Sequence, residues 1–536
     1  MESNLTYRYK IYLLVFLTVF VYFWNFWYNG IWIPNESFYA EAVREMFESK
    51  NFVDIYYNYE PRFEKPPMTY WAVALSCLIF GINEFAVRLP IVLMALATGW
   101  ITYNIALLLY DKKTAIYSFF AFSLGFQFII NSRYASPEVP LTFFLTLTIY
   151  LFLKGYKESK ISYLYLSYIF LGITVLTKGY PYYFVAGGIV GLYLLIESKF
   201  NLREFFKKLL SIKVYIGLPI SLVIGLSWIV YMDMKFGEQF WEVYNKETVK
   251  RAFGESFKFT DIFFYPTVIL WGFLPYSLSF YYGFLHSFKE FLNRHSLIFS
   301  YFITMLVVFT IAKGKIPTYF IQAHVPMAIL VGYYLANHNP EGFKKYIYLS
   351  SLVIPTAIII TLNFLLIYYF NLDYLLYVLA LFPILYILRF KDIKLTPFVS
   401  MLITFMIFVL SLLPLVEKFR PYKQIGQIIN DNIPDRSIPL IVENGFFHNL
   451  PFYTKRKVLR DYSQSQILEY STKNRFMVAL VKKDTVDKIP NKTVLWEGYL
   501  YTSSESRFAV FLQHIKKFQK GESDRFVKMY LILAAN

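Results

Sequence analysis

Two short polar stretches interrupt an otherwise apolar sequence, and both carry groups able to do chemistry. The first contains Pro34-Asn35-Glu36-Ser37-Phe38-Tyr39-Ala40-Glu41 and closes on Arg62-Phe63-Glu64-Lys65-Pro66. The second is Pro137-Glu138-Val139-Pro140. Two carboxylates such as Glu36 and Glu138, if brought together, would position an acceptor and take its proton. Lys65 is placed either to hold a lipid phosphate as a point charge or to snorkel to the membrane surface. Further basic candidates are Lys178 in Leu176-Thr177-Lys178-Gly179, Arg251 at the end of 247–251, and Lys315 in Lys315-Ile316-Pro317-Thr318-Tyr319. Taken singly, each also reads as an ordinary helix-end residue. Phe38, Ala42, Val43 and Met46 share one helical face. Asn35 then stands where an N-cap would stand, and Glu36 would favour the helix dipole. Histidines add no paired-His or Ser-His-Asp spacing. The single cysteine, Cys77, excludes an internal disulfide or a cysteine–metal cluster.

The elements around these residues are set by composition. The 536 residues are 57% hydrophobic and 21% aromatic, with only 17% charged. A soluble chain cannot solvate that much apolar surface. The apolar residues fall in runs such as 11–28 and 349–370, long enough for membrane helices. The net charge of +17 fits basic loops beside anionic headgroups. No Gly-rich phosphate loop, zinc-finger spacing or groove-reading basic helix accompanies it, so nucleic acid is not an expected partner.

Charge bias sets the orientation. Arg8 and Lys10 put the N-terminus inside. The run 68–80 is too short to span and reads as re-entrant or interfacial. The basic loops at 112–113, 154–160, 199–208, 289–294, 344–345 and 389–394 then share the inner side, with about thirteen spans in all. The expected layout is an all-α membrane bundle over 1–416, with an outer first loop at 29–67, and a small outer α/β domain over 417–536. Within that domain, 422–432 has helical spacing, and 438–442 and 476–481 read as strands. The candidate residues all collect on the outer face. No internal repeat is visible.

Asn35-Glu36-Ser37-Phe38-Tyr39-Ala40-Glu41, followed by Phe63-Glu64-Lys65-Pro66, resembles the polyprenyl-phosphate-sugar glycosyltransferases of the GT-C fold, the protein mannosyltransferase-like superfamily. The likeness is greatest to the lipid A aminoarabinose transferases. It continues through Phe80-Gly81-Ile82-Asn83-Glu84-Phe85-Ala86-Val87-Arg88-Leu89-Pro90, Leu176-Thr177-Lys178-Gly179, Lys315-Ile316-Pro317-Thr318-Tyr319, Phe419-Arg420-Pro421-Tyr422 and Leu450-Pro451-Phe452-Tyr453. The resemblance implies a sugar donor on undecaprenyl phosphate and an acceptor phosphate on lipid A. It gives catalytic roles to Asn35, Glu36 and Glu138. It gives substrate contacts to Tyr39, Glu64, Lys65, Lys178, Arg251, Lys315 and Tyr319. It also implies a monomer in the bacterial inner membrane, with the C-terminal domain periplasmic.

Three positions depart from the family pattern; one of them, Glu138, replaces the second-loop Asp and keeps its charge on a longer arm. The family's first Asp is Asn35 here, which cannot take a proton. Either Glu36 serves in its place, or an already ionised phosphate acceptor needs no base, or the substitution gives an inactive state. Thr248 stands where close relatives can have a histidine, so no metal or other cofactor is expected to be required. Transfer of another sugar, such as galacturonic acid or mannose, to lipid A, core or protein is the alternative within the class. A lipid-sugar transporter or a non-catalytic binding protein is the alternative outside it.

Overall fold

A computed structural model describes residues 4–250, 258–312 and 314–535. The chain forms two compact units. The first comprises Met1–Trp24, Phe63–Thr69 and Pro90–Ile407. The second comprises Asn25–Arg62, Tyr70–Leu89 and Phe408–Asn536.

The first unit is helical. Among the described residues of the whole chain, seven helical segments are long and apolar enough to cross a membrane. They include Glu138–Glu158, Ile161–Lys178, Val214–Phe236 and Gly342–Phe370. Shorter apolar helices, such as Pro181–Glu197 and Ser296–Ile311, complete the set. The chain is a multi-pass membrane protein. Small residues let the helices approach, as they do wherever lipid supplies no hydrophobic drive for packing. A side chain on Gly332 would enter Ser118, and one on Gly217 would enter the Tyr168 ring. Asp111 starts Lys112–Ser123 by accepting from the backbone N–H groups of Lys113 and Thr114.

Leu202–Ser211 differs from its neighbours, because none of its residues is buried. Leu202, Phe205, Phe206, Leu209 and Leu210 line one face, while Arg203, Lys207 and Lys208 lie off it. Leu202, Phe206 and Leu210 are more than half exposed. That spacing is an in-plane membrane-surface helix. A Phe206→Trp variant in vesicles containing brominated lipid is therefore expected to lose most of its added indole fluorescence. Unquenched indole emission would contradict the assignment.

Met68–Phe80 is a helix of 13 residues. At about 1.5 Å per residue it spans only ~20 Å, short of the ~30 Å hydrocarbon core.

The second unit is built on a five-stranded sheet: β1 (Leu440–Glu443), β2 (Val458–Tyr462), β3 (Phe476–Val481), β4 (Lys492–Tyr501) and β5 (Phe526–Ala535). The order is β2-β1-β3-β5-β4. β1 runs parallel to β2 and β3, with Leu440 opposite Val458 and Val478. β5 is antiparallel to β3 and β4, with Leu533 opposite Val478 and Thr493. Alternation splits the side chains between faces. Leu440, Val442, Val478 and Leu480 meet Ile425 and Ile429 of the helix Tyr422–Asn432 on one side. Ile441, Met477, Ala479 and Val481 meet Ile467 of the helix Gln464–Lys473 on the other. Ser463 opens that second helix with a capping box to Gln466.

The expected boundary at 416/417 describes only part of this arrangement. The first polar loop and the stretch Tyr70–Leu89 belong to the same unit as the sheet. Asn58 pairs with Val458 in both directions, at 3.0 and 2.8 Å. Contacts between residues 400 positions apart leave no trace in local composition.

Candidate functional site

Of the candidate residues of the second unit, Glu36 sits in a double arginine clamp. Arg88 uses all five of its N–H groups. It donates to both oxygens of Glu36 at 2.7 and 2.6 Å, and to the carbonyls of Phe26, Asn29 and Gly30 at 2.8–3.0 Å. Arg420 does the same. It bonds Glu505 twice at 2.8 Å, Glu417 at 2.9 Å, and the carbonyls of Gly30 and Ile31 at 3.0 and 2.9 Å. The Trp32 ring lies 4.0 Å beneath the Arg420 guanidinium. Between the two arginines, Gly30 N–H donates to Glu417 and Ile31 N–H to the Tyr453 hydroxyl. A Cβ on Gly30 would meet that hydroxyl at 3.1 Å, so the position needs a glycine for close approach.

This clamp redefines two expected roles. Glu36 is fully buried and held by Arg88, with Oε2 also accepting from Trp32 N–H at 2.9 Å. Its carboxylate fixes the entry into the helix Asn35–Ser49 and is closed to solvent. Asn35 is exposed, but it is the first helical residue and makes no cap bond; Pro34 occupies the cap position. The expected cap fails because Pro34 already turns the chain one residue earlier. Tyr39 is buried and stacks on Tyr70 at 4.5 Å.

The same helix gathers three carboxylates on one cation. Arg44 binds Glu41 at 2.7 Å and Glu48 at 2.6 Å, and Glu45 lies within 3.9 Å. Burial, and next the Glu41 charge, push the Glu45 carboxyl up to about 9. Folded Glu45 therefore keeps its proton at neutral pH, whereas an unfolded glutamate, near 4.3, loses it. The folded state binds more protons between these two values. Stability from this group is complete below the lower value and is lost as pH rises through the upper one. Glu45→Gln, which resembles the protonated form, is expected to flatten the fall in thermal stability between about pH 5 and 9. A melting profile as steep as the parent's would contradict this.

In the first unit, three lysines each face a carboxylate. Lys65 lies 3.6 Å from Glu247, with both side chains about one-fifth exposed. Phe63 anchors this segment against Phe236 and Phe240, and Glu64 is half-buried beside it. Lys178, at the C-terminus of Ile161–Lys178, binds Glu138, the first residue of Glu138–Glu158, at 3.2 Å. Its ammonium also lies 4.5 Å from the centre of the Tyr319 ring. Lys315 lies 3.6 Å from Asp261 and donates to the carbonyls of Thr310 and Ala312. Lys315 thus caps the end of Ser296–Ile311, where carbonyls have no helical partner. Arg251 lies outside the described residues. Among the described residues, no three of His, Cys, Asp and Glu group as a metal site would need.

Residues 64–231 match the dolichyl-phosphate-mannose-protein mannosyltransferase family. An uncharacterized protein of Aquifex aeolicus is 36% identical over 96% of this chain and 98% of its own length. The "undecaprenyl phosphate-alpha-4-amino-4-deoxy-L-arabinose arabinosyl transferase 1" of Proteus mirabilis is 28% identical over 64% of this chain. That match spans 63% of the Proteus protein. The crystal structure of ArnT from Cupriavidus metallidurans bound to undecaprenyl phosphate superposes with a TM-score of 0.74 at 18% identity, covering 97% of each chain. The chain belongs to the GT-C superfamily of polyprenyl-phosphate-sugar glycosyltransferases.

Several residues of this GT-C chain carry little sign of their role in the sequence alone. Arg88, Arg420 and Tyr453 stand inside the motifs quoted for the family, but nothing local shows that they converge on residues 29–31. Gln127 and Gln322 are a second group. Each is buried, with both amide atoms lacking a hydrogen-bond partner among the described residues. A buried polar group left this way costs about 1–3 kcal/mol unless water or ligand meets it. A glutamine within an apolar run, as in Phe126-Gln127-Phe128, was the available signal.

Proposed function

We propose that this GT-C protein moves 4-amino-4-deoxy-L-arabinose from undecaprenyl phosphate to a phosphate of lipid A, acting as a monomer on the periplasmic side of the inner membrane. The name of the Proteus relative and the carrier lipid bound to the Cupriavidus protein support this donor. The observation that carries the reading is the set of three lysines, each held by a carboxylate: Lys65 with Glu247, Lys178 with Glu138, and Lys315 with Asp261. Such cations exchange a carboxylate for an arriving phosphate at little net cost in charge.

In this mechanism Lys65 holds the donor phosphate. An oxygen of the acceptor phosphate attacks C1 of the sugar. The C1–O bond to the carrier breaks, and its electron pair leaves on undecaprenyl phosphate, where Lys65 stabilises it. Lys178 and Lys315 hold the acceptor, with Arg251 and Tyr319. Glu64 shapes the surroundings of Lys65. The acceptor oxygen is already ionised, so no base is needed, and Asn35 suffices as a polar contact. Glu138 sets the position of Lys178. The reaction as written calls on no metal or other cofactor. The charge bias of the loops supports a cytoplasmic N-terminus and a periplasmic sheet unit.

The test is transfer by the purified full chain in nanodiscs, with undecaprenyl-phosphate aminoarabinose and lipid A, read by mass spectrometry. Modified lipid A from both the parent and Asn35→Asp is the expected result. Transfer by the Asp form alone would overturn the base-free step. Donor binding without transfer by either form would favour a non-catalytic lipid-sugar binding protein, the reading Asn35 itself supports.

A further inference from the structure

The sheet of the second unit contains a topological switch point. The connection from β1 to β2 passes through Leu450–Thr454, which packs on the Ile425 face of the sheet. The connection leaving β3 passes through Lys483–Val486 and packs on the Ile467 face. The chain thus leaves the carboxyl ends of two neighbouring parallel strands in opposite directions. In open α/β sheets this is where a crevice forms and ligands bind.

A cavity of about 390 Å³ lies there, within the ~300–1,000 Å³ range of ligand sites. Glu443 ends β1 inside it, is 5% exposed, and fixes the loop after β3 by accepting Lys482 N–H at 2.7 Å. Asn444, in the left-handed region at φ 47°, turns the chain over the cavity. Phe446, half-buried, lines one wall, and Ser503 and Ser504 line another, the Ser504 hydroxyl also bonding Ser506. The charges balance. Glu443 and Lys482 carry opposite signs, and burial, helped by Arg62 and Arg460, holds the His448 imidazole down to about 4 and so neutral.

We infer that this switch-point cavity is a binding site for a neutral sugar ring, stacked on Phe446 and hydrogen-bonded by Glu443, Asn444 and the serine hydroxyls. The lining itself, with Glu443 against Lys482, does not call for an anion, and Arg62 and Arg460 stand outside it beside His448. Interleaved donors and acceptors beside an aromatic wall match a polyhydroxylated ring. The inference is independent of the transfer reaction proposed above, because Glu443, Asn444, Phe446, Ser503 and Ser504 take no part in that reaction.

Saturation-transfer NMR on the full chain in nanodiscs, with methyl α-D-glucopyranoside as the probe and inorganic phosphate as competitor, tests it. Saturable binding near the millimolar range is expected, unaffected by phosphate. Phe446→Ala should weaken it at least tenfold. Ser504→Trp, which fills the cavity from an exposed position, should abolish it while the melting temperature stays that of the parent. Lys65→Ala should leave it unchanged. No saturable binding, competition by phosphate, or binding indifferent to both Phe446→Ala and Ser504→Trp would overturn the assignment.

Discussion

Replacing Arg88 by alanine is expected to cost about 3–5 kcal/mol of stability, because it strands the Glu36 carboxylate without its cation in a site closed to water. The carbonyls of Phe26 and Asn29 lose a donor in the same step, while Gly30 keeps Arg420. Arg88→Lys retains the charge but offers three donors where five are used, so it is expected to recover only part of the loss. The double variant Arg88→Met with Glu36→Leu separates the terms. Removing both charges together is often close to neutral, so what remains of the loss reports the orphaned carbonyls. Denaturant unfolding in detergent micelles measures all three variants. Limited proteolysis should show residues 25–49 opening first. A stable Arg88→Ala protein would mean that Glu36 had found another cation or taken up a proton.

Lys65→Ala is expected to lower kcat/KM for the donor by ~10²–10³-fold, the usual effect of removing one group aimed at charge that develops in the transition state. The partner carboxylate should act in the opposite sense. The Lys65–Glu247 contact is long and partly exposed, so breaking it costs no more than ~1 kcal/mol. Glu247→Gln is therefore expected to leave the fold intact and tighten donor binding several-fold, because Lys65 no longer has to release a carboxylate first. Donor affinity measured beside turnover distinguishes this from a structural role. If Glu247→Gln weakened binding, the ion pair would be holding Lys65 in place. Lys178→Ala should fall as far as Lys65→Ala, with an added loss of stability from a half-buried Glu138 left without its cation.

The membrane class, the helix Tyr422–Asn432 and the strand Phe476–Val481 were legible because each follows from periodicity within one short window. The lysines at 65, 178 and 315 were legible because charge is conspicuous among apolar neighbours. The ion pairs were not, because Glu247 and Asp261 look like ordinary loop residues until the chain folds. Glu36 was read as chemistry because acid groups in an outer loop are exposed by default. Its burial depends on Arg88, and nothing between positions 36 and 88 announces the pairing. The strands Val458–Tyr462, Lys492–Tyr501 and Phe526–Ala535 escaped detection. Mixed polar and apolar residues blur the alternation of the first two, the third is apolar but for Lys528 and so shows none, and only the sheet's register supplies it.

The clamp around residues 29–31 also fixes an order of events in synthesis. Ile33 N–H bonds Glu505, 472 residues further along the chain. At about 5–20 residues per second, that glutamate leaves the ribosome roughly half a minute to a minute and a half after the loop it completes. Glu417, Arg420 and Tyr453, its other partners, also lie more than 380 positions downstream of Gly30 and Ile31. The loop is therefore made well before it can take its final form, and a chain that stops short of Glu505 cannot finish it, however well its membrane helices have inserted.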